Sequence, residues 1–324
     1  MPTGKVQISL LSNMAVYTIL DKQKVSSVLA DYSTDKVKSV DILSGGSENS
    51  NYLVITDSNK YVLTICEQKT QQEAQNLADL LEHLAANGFA TSKLIRTKGN
   101  NCVAIYQDNP VLLKKYIAGR IMEDLPSHLI QNLGQQLGKL HQISAPTFLP
   151  QDINYGIQHF ADVSYYAPDS TFYKWLTNIG NIIMTEMPDD LPRALIHADV
   201  FYNNVIVSTD GTKTIIMDFE EACNYIRVFD LGMMIIGLCS EGTVLDLKKV
   251  KYVLTGYMQE ITLLPKELQN LKLFAAYAAA ATAFWRHKHF NFVEPEANMK
   301  DHYLIMKQLA DHIMQLGESS FYFD

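Results

Sequence analysis

The stretch Ala194-Leu-Ile-His197-Ala-Asp199-Val-Phe-Tyr-Asn-Asn204-Val-Ile-Val-Ser-Thr-Asp210-Gly211-Thr-Lys-Thr-Ile-Ile-Met-Asp218-Phe219-Glu220 decides how the rest of the chain is read. It holds His-x-Asp-x-x-x-x-Asn, then two apolar runs around Asp210-Gly211, then Asp-Phe. Asp-Gly between apolar runs is a strong signal for a hairpin with a two-residue turn. Such a turn puts Asn204 and Asp218 within one residue of directly opposite each other. Cross-strand neighbours stand roughly 5 Å apart at Cβ. An amide oxygen and a carboxylate held that way can bind one Mg²⁺, a hard cation that takes oxygen ligands. Asp199, in the loop entering the hairpin, is placed to orient an attacking hydroxyl or to accept its proton. These are the parts that phosphoryl transfer from ATP requires: positioning, a carboxylate on the nucleophile and a metal on the phosphates. Among nine histidines, chance would supply roughly 0.02 such matches.

Two nearby residues each have two readings. His197 carries a proton or, more commonly for a histidine in such a loop, organises the backbone through hydrogen bonds. Asp230, in Val228-Phe-Asp230-Leu-Gly232, braces the catalytic loop through backbone N–H groups or caps the apolar helix that follows.

Bulk properties narrow the setting. A chain of 324 residues suits two packed lobes. With 47% hydrophobic and 19% charged residues, it is globular rather than disordered. A net charge of −8 argues against nucleic acid as a partner. Cys66, Cys102, Cys223 and Cys239 form no C-x-x-C pair and lie at no zinc-ligand spacing from histidine. They read as free buried thiols of a cytoplasmic protein. The longest nonionic, mostly apolar run, Leu273–Trp285, cannot span ~30 Å of hydrocarbon. Val6–Leu11 is too short for a signal-peptide core. A membrane is therefore not an expected partner.

Upstream of the motif, the pattern predicts a helix at Lys22–Tyr32 and strands at Val37–Leu43, Tyr52–Thr56 and Tyr61–Cys66. A helix at Gln71–Ala86 follows, with Gly88 as its C-terminal cap, then strands at Lys93–Arg96, Cys102–Tyr106 and Val111–Tyr116. Beyond Ile117-Ala118-Gly119 helices dominate: Leu129–His141, Phe172–Met187, Leu245–Glu260, Leu268–His287 and Lys300–Leu316, with the hairpin between them. The expectation is an α+β fold of two lobes. Residues 1–116 form an antiparallel sheet with one helix, residues 117–324 form a mainly helical lobe, and the cleft lies between them.

The loop Ser44-Gly45-Gly46-Ser47-Glu48-Asn49-Ser50 can close over nucleotide phosphates, because glycines permit close backbone approach and Ser47, Asn49 and Ser50 offer donors. On its own it reads equally well as a hairpin turn. Arg286, in Arg286-His-Lys-His289, either clamps a substrate carboxylate or complements a helix dipole. Trp175, Trp285, Tyr165 and Tyr166 form a quaternary-ammonium cage or, more commonly, core.

At His197-Ala-Asp199, Asn204 and Asp218-Phe219 the chain resembles the aminoglycoside phosphotransferase and choline kinase superfamily, relatives of protein kinases. Leu133-Gly-x-x-Leu137-Gly-Lys-Leu140-His141 and Val228-Phe-Asp230-Leu-Gly232 carry the likeness further. A narrower resemblance is to the type II homoserine kinases. It rests on Met14-Ala-Val-Tyr-Thr18, Gly46-Ser-Glu-Asn-Ser-Asn-Tyr52, Tyr61-Val-Leu-Thr-Ile-Cys-Glu67 and His83-Leu-Ala-Ala-Asn-Gly88, and it leaves residues 1–13 as an extension.

The resemblance implies a protein-kinase-like fold, ATP and Mg²⁺, catalytic Asp199, metal ligands Asn204 and Asp218, and a hydroxyl acceptor. That acceptor is homoserine, with choline, ethanolamine or an aminoglycoside as alternatives, or the chain is a non-catalytic nucleotide-binding module. Three departures accompany it. The strand-3 lysine that holds phosphates is Thr64 here, which leaves Lys60 or Lys115 as substitutes and Glu73 as the orphaned helix partner. Phe201 offers no basic group two residues past Asp199. The arginine-rich C-terminal helix keeps only Arg286.

Overall fold

The computed structural model describes residues 18–32, 35–43 and 49–321. Residues before Thr18 and the loop positions Gly45, Gly46 and Ser47 therefore lie outside the described residues.

The chain opens with α1 (Lys22–Leu29), capped by the Asp21 side chain. Strands β1 (Val37–Leu43), β2 (Asn49–Thr56) and β3 (Lys60–Cys66) follow. Helix α2 (Gln71–Ala86) opens with a capping box in which Thr70 and Glu73 satisfy each other. It ends at Gly88, whose φ of 74° favours glycine. Strands β4 (Val103–Tyr106) and β5 (Asn109–Lys115) complete an antiparallel sheet in the order β1-β2-β3-β5-β4. The strand expected at Lys93–Arg96 is reduced to one bridge, between Leu94 and Lys114.

Short β6 (Gly119–Arg120) then crosses over to pair with the catalytic hairpin. Helices α3 (Ser127–Leu140), α4 (Val163–Tyr166) and α5 (Thr171–Glu186) precede four strands: β7 (Arg193–Ile196), β8 (Val205–Ser208), β9 (Thr214–Ile216) and β10 (Cys223–Ile226). Helix α6 (Arg227–Cys239), the small pair β11 (Ser240–Glu241) and β12 (Val244–Leu245), α7 (Leu247–Tyr257), α8 (Pro265–Lys288) and α9 (Tyr303–Gln315) follow. Val205 pairs with Ile216 and Val207 with Thr214, the register that a turn centred on Asp210-Gly211 dictates.

Strand alternation divides the sheet into two faces. Tyr52, Val54, Tyr61, Leu63, Ile65, Val111 and Leu113 pack under α1 as one cluster. Cys66 and Leu112, on the other face, join α2 and the helical half in a single larger core. That core runs across residue 116, so the lobe boundary read from composition is not a break in packing.

Helix α8 is buried nearly all round, as its alanine-rich stretch requires. Helices α3 and α7 touch through backbone. A Cβ at Gly256 would lie 1.9 Å from the Gln131 carbonyl, and one at Gly134 would lie 2.1 Å from the Val253 carbonyl.

Candidate active site

The catalytic segment is held by a buried carboxylate. Asp230, on α6 and fully buried, accepts the N–H of His197 at 2.8 Å on Oδ2 and that of Ala198 at 2.8 Å on Oδ1. His141 Nε2, at the end of α3, lies 3.1 Å from Asp230 Oδ2, and His141 Nδ1 lies 2.8 Å from the Tyr257 hydroxyl. A carboxylate only accepts, so Nε2 carries the proton and, in the neutral ring, Nδ1 accepts from Tyr257. Tyr155 donates its hydroxyl to the Ala198 carbonyl.

These contacts hold Ala198 at a φ of 67°, a left-handed conformation that costs about 1–3 kcal/mol in a non-glycine residue. Asp218 has a φ of 64°, so both ends of the motif are strained.

His197 is buried with both ring nitrogens committed to the backbone. Nδ1 accepts the Asp199 N–H at 3.1 Å, so Nε2 is the protonated nitrogen that donates to the Met217 carbonyl at 2.7 Å. This corrects its reading as a proton carrier, because no ring nitrogen is left for a reacting group. The ring also packs edge-on against Phe219, centroids 4.6 Å apart.

Asp199 and Asn204 are in direct contact. Asn204 Nδ2 donates to Asp199 Oδ2 at 2.7 Å and to the Asp199 carbonyl at 2.9 Å. The Asn204 carbonyl accepts from Met217 N at 2.8 Å, which seats Asn204 beside Asp218 across the hairpin. Burial, together with Asp218 and Glu221, pushes the Asp199 carboxyl well above the usual carboxylate range. Burial and Glu220 raise the Asp218 carboxyl too, although that side chain is open to solvent on one side.

The oxygen atoms here suit a hard cation. Asn204 spends its NH₂ on Asp199, and among the described residues its Oδ1 accepts no hydrogen bond and the Asp218 carboxylate receives none. Excess negative charge with unused oxygen lone pairs is the environment that a divalent ion relieves. Among the described residues no group of three or more His, Cys, Asp or Glu could hold a metal. A cation between Asn204 and Asp218 would therefore complete its shell from phosphate and water.

Arg286 lies within electrostatic reach of Asp199 and Tyr202, and burial pulls its pKa down to about 10. Its guanidinium stands 5.9 Å from the centre of the Phe201 ring and makes no hydrogen bond or ion pair among the described residues.

Other expected site residues are placed differently. Ser50 is buried and donates to Glu67 Oε1 at 2.6 Å, within the sheet. Asn49 Nδ2 donates to Glu220 Oε1 at 2.7 Å. Lys115 is exposed on the α1 side of β5, and Lys60 is exposed with its ammonium 5.7 Å from the Tyr116 ring centre. Lys115, in phase with Val111 and Leu113, points away from the face that carries Thr64, which corrects it as a phosphate cation. Lys114, one residue earlier, occupies the opposite face.

The four aromatic residues form no cage. Tyr165 is 87% exposed, Trp285 stacks on His289 at 4.5 Å, Trp175 bonds Asp311 at 2.7 Å, and Tyr166 packs on Phe292 at 4.4 Å.

The model of the phosphotransferase enzyme family matches residues 39–257, more than half of the chain. The chain belongs to that family. The phosphotransferase is an ATP-dependent small-molecule kinase.

It is 27% identical to the homoserine kinase of Zymomonas mobilis over 264 residues, covering 78% of this chain and 82% of that one. Its fold matches amicoumacin kinase hAmiN, solved with AMP-PNP and Ca²⁺, with a TM-score of 0.72 at 16% identity over 92% of this chain and 96% of that one. It also matches a microcompartment-associated aminopropanol kinase, with a TM-score of 0.70 at 16% identity over 91% and 97% of the two chains. These structures show the kinase-like fold. No helix among the described residues is long and apolar enough to cross a membrane.

Proposed function

We propose that this phosphotransferase transfers the γ-phosphoryl group of ATP to the side-chain hydroxyl of L-homoserine, giving O-phospho-L-homoserine and ADP in the cytoplasm, a step of threonine biosynthesis. One observation carries the choice of acceptor. Arg286, half-buried and without an anionic partner among the described residues, lies in electrostatic reach of Asp199. A small amino acid with a hydroxyl on a short side chain can set its carboxylate on Arg286 and its hydroxyl on Asp199. An amino alcohol without a carboxylate would leave the half-buried guanidinium uncompensated. The homoserine kinases among its relatives support the same acceptor.

In the reaction the Asp199 carboxylate orients the hydroxyl and takes its proton, and the raised carboxyl pKa suits it to hold that proton. The new bond joins the substrate oxygen to the γ-phosphorus, the bond to the bridging oxygen breaks, and ADP leaves with the electron pair. Asn204 Oδ1 and Asp218 would hold Mg²⁺, which neutralises phosphate charge. His197 and Asp230 hold the loop in place.

The test is ATP-dependent phosphorylation of L-homoserine beside choline, ethanolamine, L-serine and spectinomycin, with Asp199→Asn as the blank. Saturable turnover on homoserine, with Arg286→Ala raising KM by about tenfold or more, is expected. Preferred turnover on an acceptor lacking a carboxylate, or an unchanged KM in Arg286→Ala, would overturn the assignment.

A further inference from the structure

The position where the family resemblance places a phosphate-binding lysine is filled by a residue that cannot bind phosphate. Thr64 is 1% exposed, and its hydroxyl donates to Asn51 Oδ1 at 2.7 Å across the strand pair. The acidic helix partner is engaged as well, because Glu73 Oε2 accepts from Thr70 N at 2.8 Å and Thr70 Oγ1 at 2.7 Å in the capping box. Neither half of the usual ion pair is available.

Two other lysines reach the same space. Val62 pairs with Lys114 and Thr64 with Leu112, so Lys114 projects from β5 on the face that carries Thr64. It is half-buried and makes no hydrogen bond or ion pair among the described residues. Taking an ammonium partly out of water without an anion is costly, so such a group is prepared for one.

Lys69 lies in the loop between β3 and α2, with a side chain only 17% exposed, and its Nζ stands 3.0 Å from Glu220 Oε2. Glu220 is two residues past Asp218, and its other oxygen is bonded by Asn49 at the start of β2. The pair thus fixes the Lys69 ammonium against the segment that carries Asp218.

We infer that Lys114 and Lys69 together are the cations that hold the nucleotide phosphates in this chain, with Lys69 kept in position by Glu220. The function of a single strand-3 lysine is thereby divided between β5 and the β3–α2 loop. The Lys69–Glu220 pair stands in for the lysine–helix glutamate pair, with its acidic member on the metal loop instead of α2. Position 64 is then free to be a small residue buried in the sheet. This inference rests on the kinase reading of the site, since it assumes a nucleotide with phosphates between the sheet and the hairpin.

The experiment is equilibrium binding of ADP and of adenosine to the full chain and to K114M and K69M, with Mg²⁺ present, by calorimetry. The two ligands share the base and sugar and differ only in the phosphates. Wild type should prefer ADP. Each variant should lose ADP affinity by about tenfold while adenosine binding stays at the wild-type level. Thermal unfolding reports whether the variants fold. Should K114M fail to fold, K114Q, which keeps a polar side chain of similar length, takes its place with the same expectation. Wild-type ADP affinity in both variants would overturn the inference. So would an equal loss for ADP and adenosine, which marks the lysines as supports of the cleft wall. A wild-type chain that binds no ADP has a different signature, and it overturns the kinase reading and this inference with it.

Discussion

His141 Nε2 lies 3.1 Å from Asp230 Oδ2, with both side chains wholly buried, and this contact links the end of α3 to the backbone of the catalytic loop. Removing the imidazole takes a donor from a buried carboxylate that still holds two backbone N–H groups. His141→Phe is expected to cost about 3 kcal/mol of stability by urea unfolding. Its kcat should fall more than its KM for either substrate, because the contact acts on Asp199 only through the loop.

Metal dependence is expected to centre on Asp218. Chelation with EDTA should abolish ADP release in a coupled assay, and added Mg²⁺ should restore it. Asp218→Asn should lower kcat by about a thousandfold even at saturating Mg²⁺. Activity of that variant near the wild-type level would remove Asp218 from the metal site.

A third prediction concerns acid. His287 is 6% exposed and stacked on Phe172 with ring centres 4.2 Å apart, and burial lowers its pKa from 6.5 to about 4. The unfolded chain takes up a proton on this ring below pH 6.5, whereas the folded chain resists until about pH 4. Stability is therefore lost as pH falls through that window, by up to about 3 kcal/mol, and is unaffected by this group above it. Plotted as melting temperature against pH, His287→Phe should fall less steeply between pH 6.5 and 4 than wild type. Equal slopes would show that the ring protonates without resistance.

Gly256 offers a test of the helix pair behind the loop. Alanine there brings a methyl within 1.9 Å of the Gln131 carbonyl, so α3 and α7 must separate. A loss of about 3 kcal/mol is expected, together with reduced kcat, because Tyr257 and His141 would part. Alanine at Gly211, whose Cβ would meet nothing within 4 Å but whose φ is 71°, should cost only about 1 kcal/mol of backbone strain.

The parts of this architecture set by local chemistry could be read from the chain. Asp210-Gly211 set the hairpin register, Gly88 marked the end of α2, and the His-x-Asp motif located Asp199. What escaped is set by distance in sequence. His141, Tyr155 and Tyr257 meet the catalytic loop from three other segments, and the sole hint was the Leu137-Gly-Lys-Leu140-His141 pattern. Lys114 turns inward and Lys115 outward because a one-residue step reverses a strand's face, and spacing alone does not reveal which face meets the cleft. Ser50 has the chemistry of a phosphate donor, yet Glu67, 17 positions away, takes its hydroxyl. Helix α6 begins at Arg227, ahead of Asp230, so Asp230 lies in its first turn and does not cap it.

Helix α2 and the inner face of the sheet share their apolar packing with the helical half, whereas α1 and the outer face have a cluster of their own. Stiffness is therefore unevenly distributed across the cleft. β3, β5 and α2 send side chains into the core of the helical half, whereas β1 and β2 pack only in the cluster under α1. Lys69 and Lys114 are rooted beside Cys66 and Leu112, in the part of the sheet that shares the larger core.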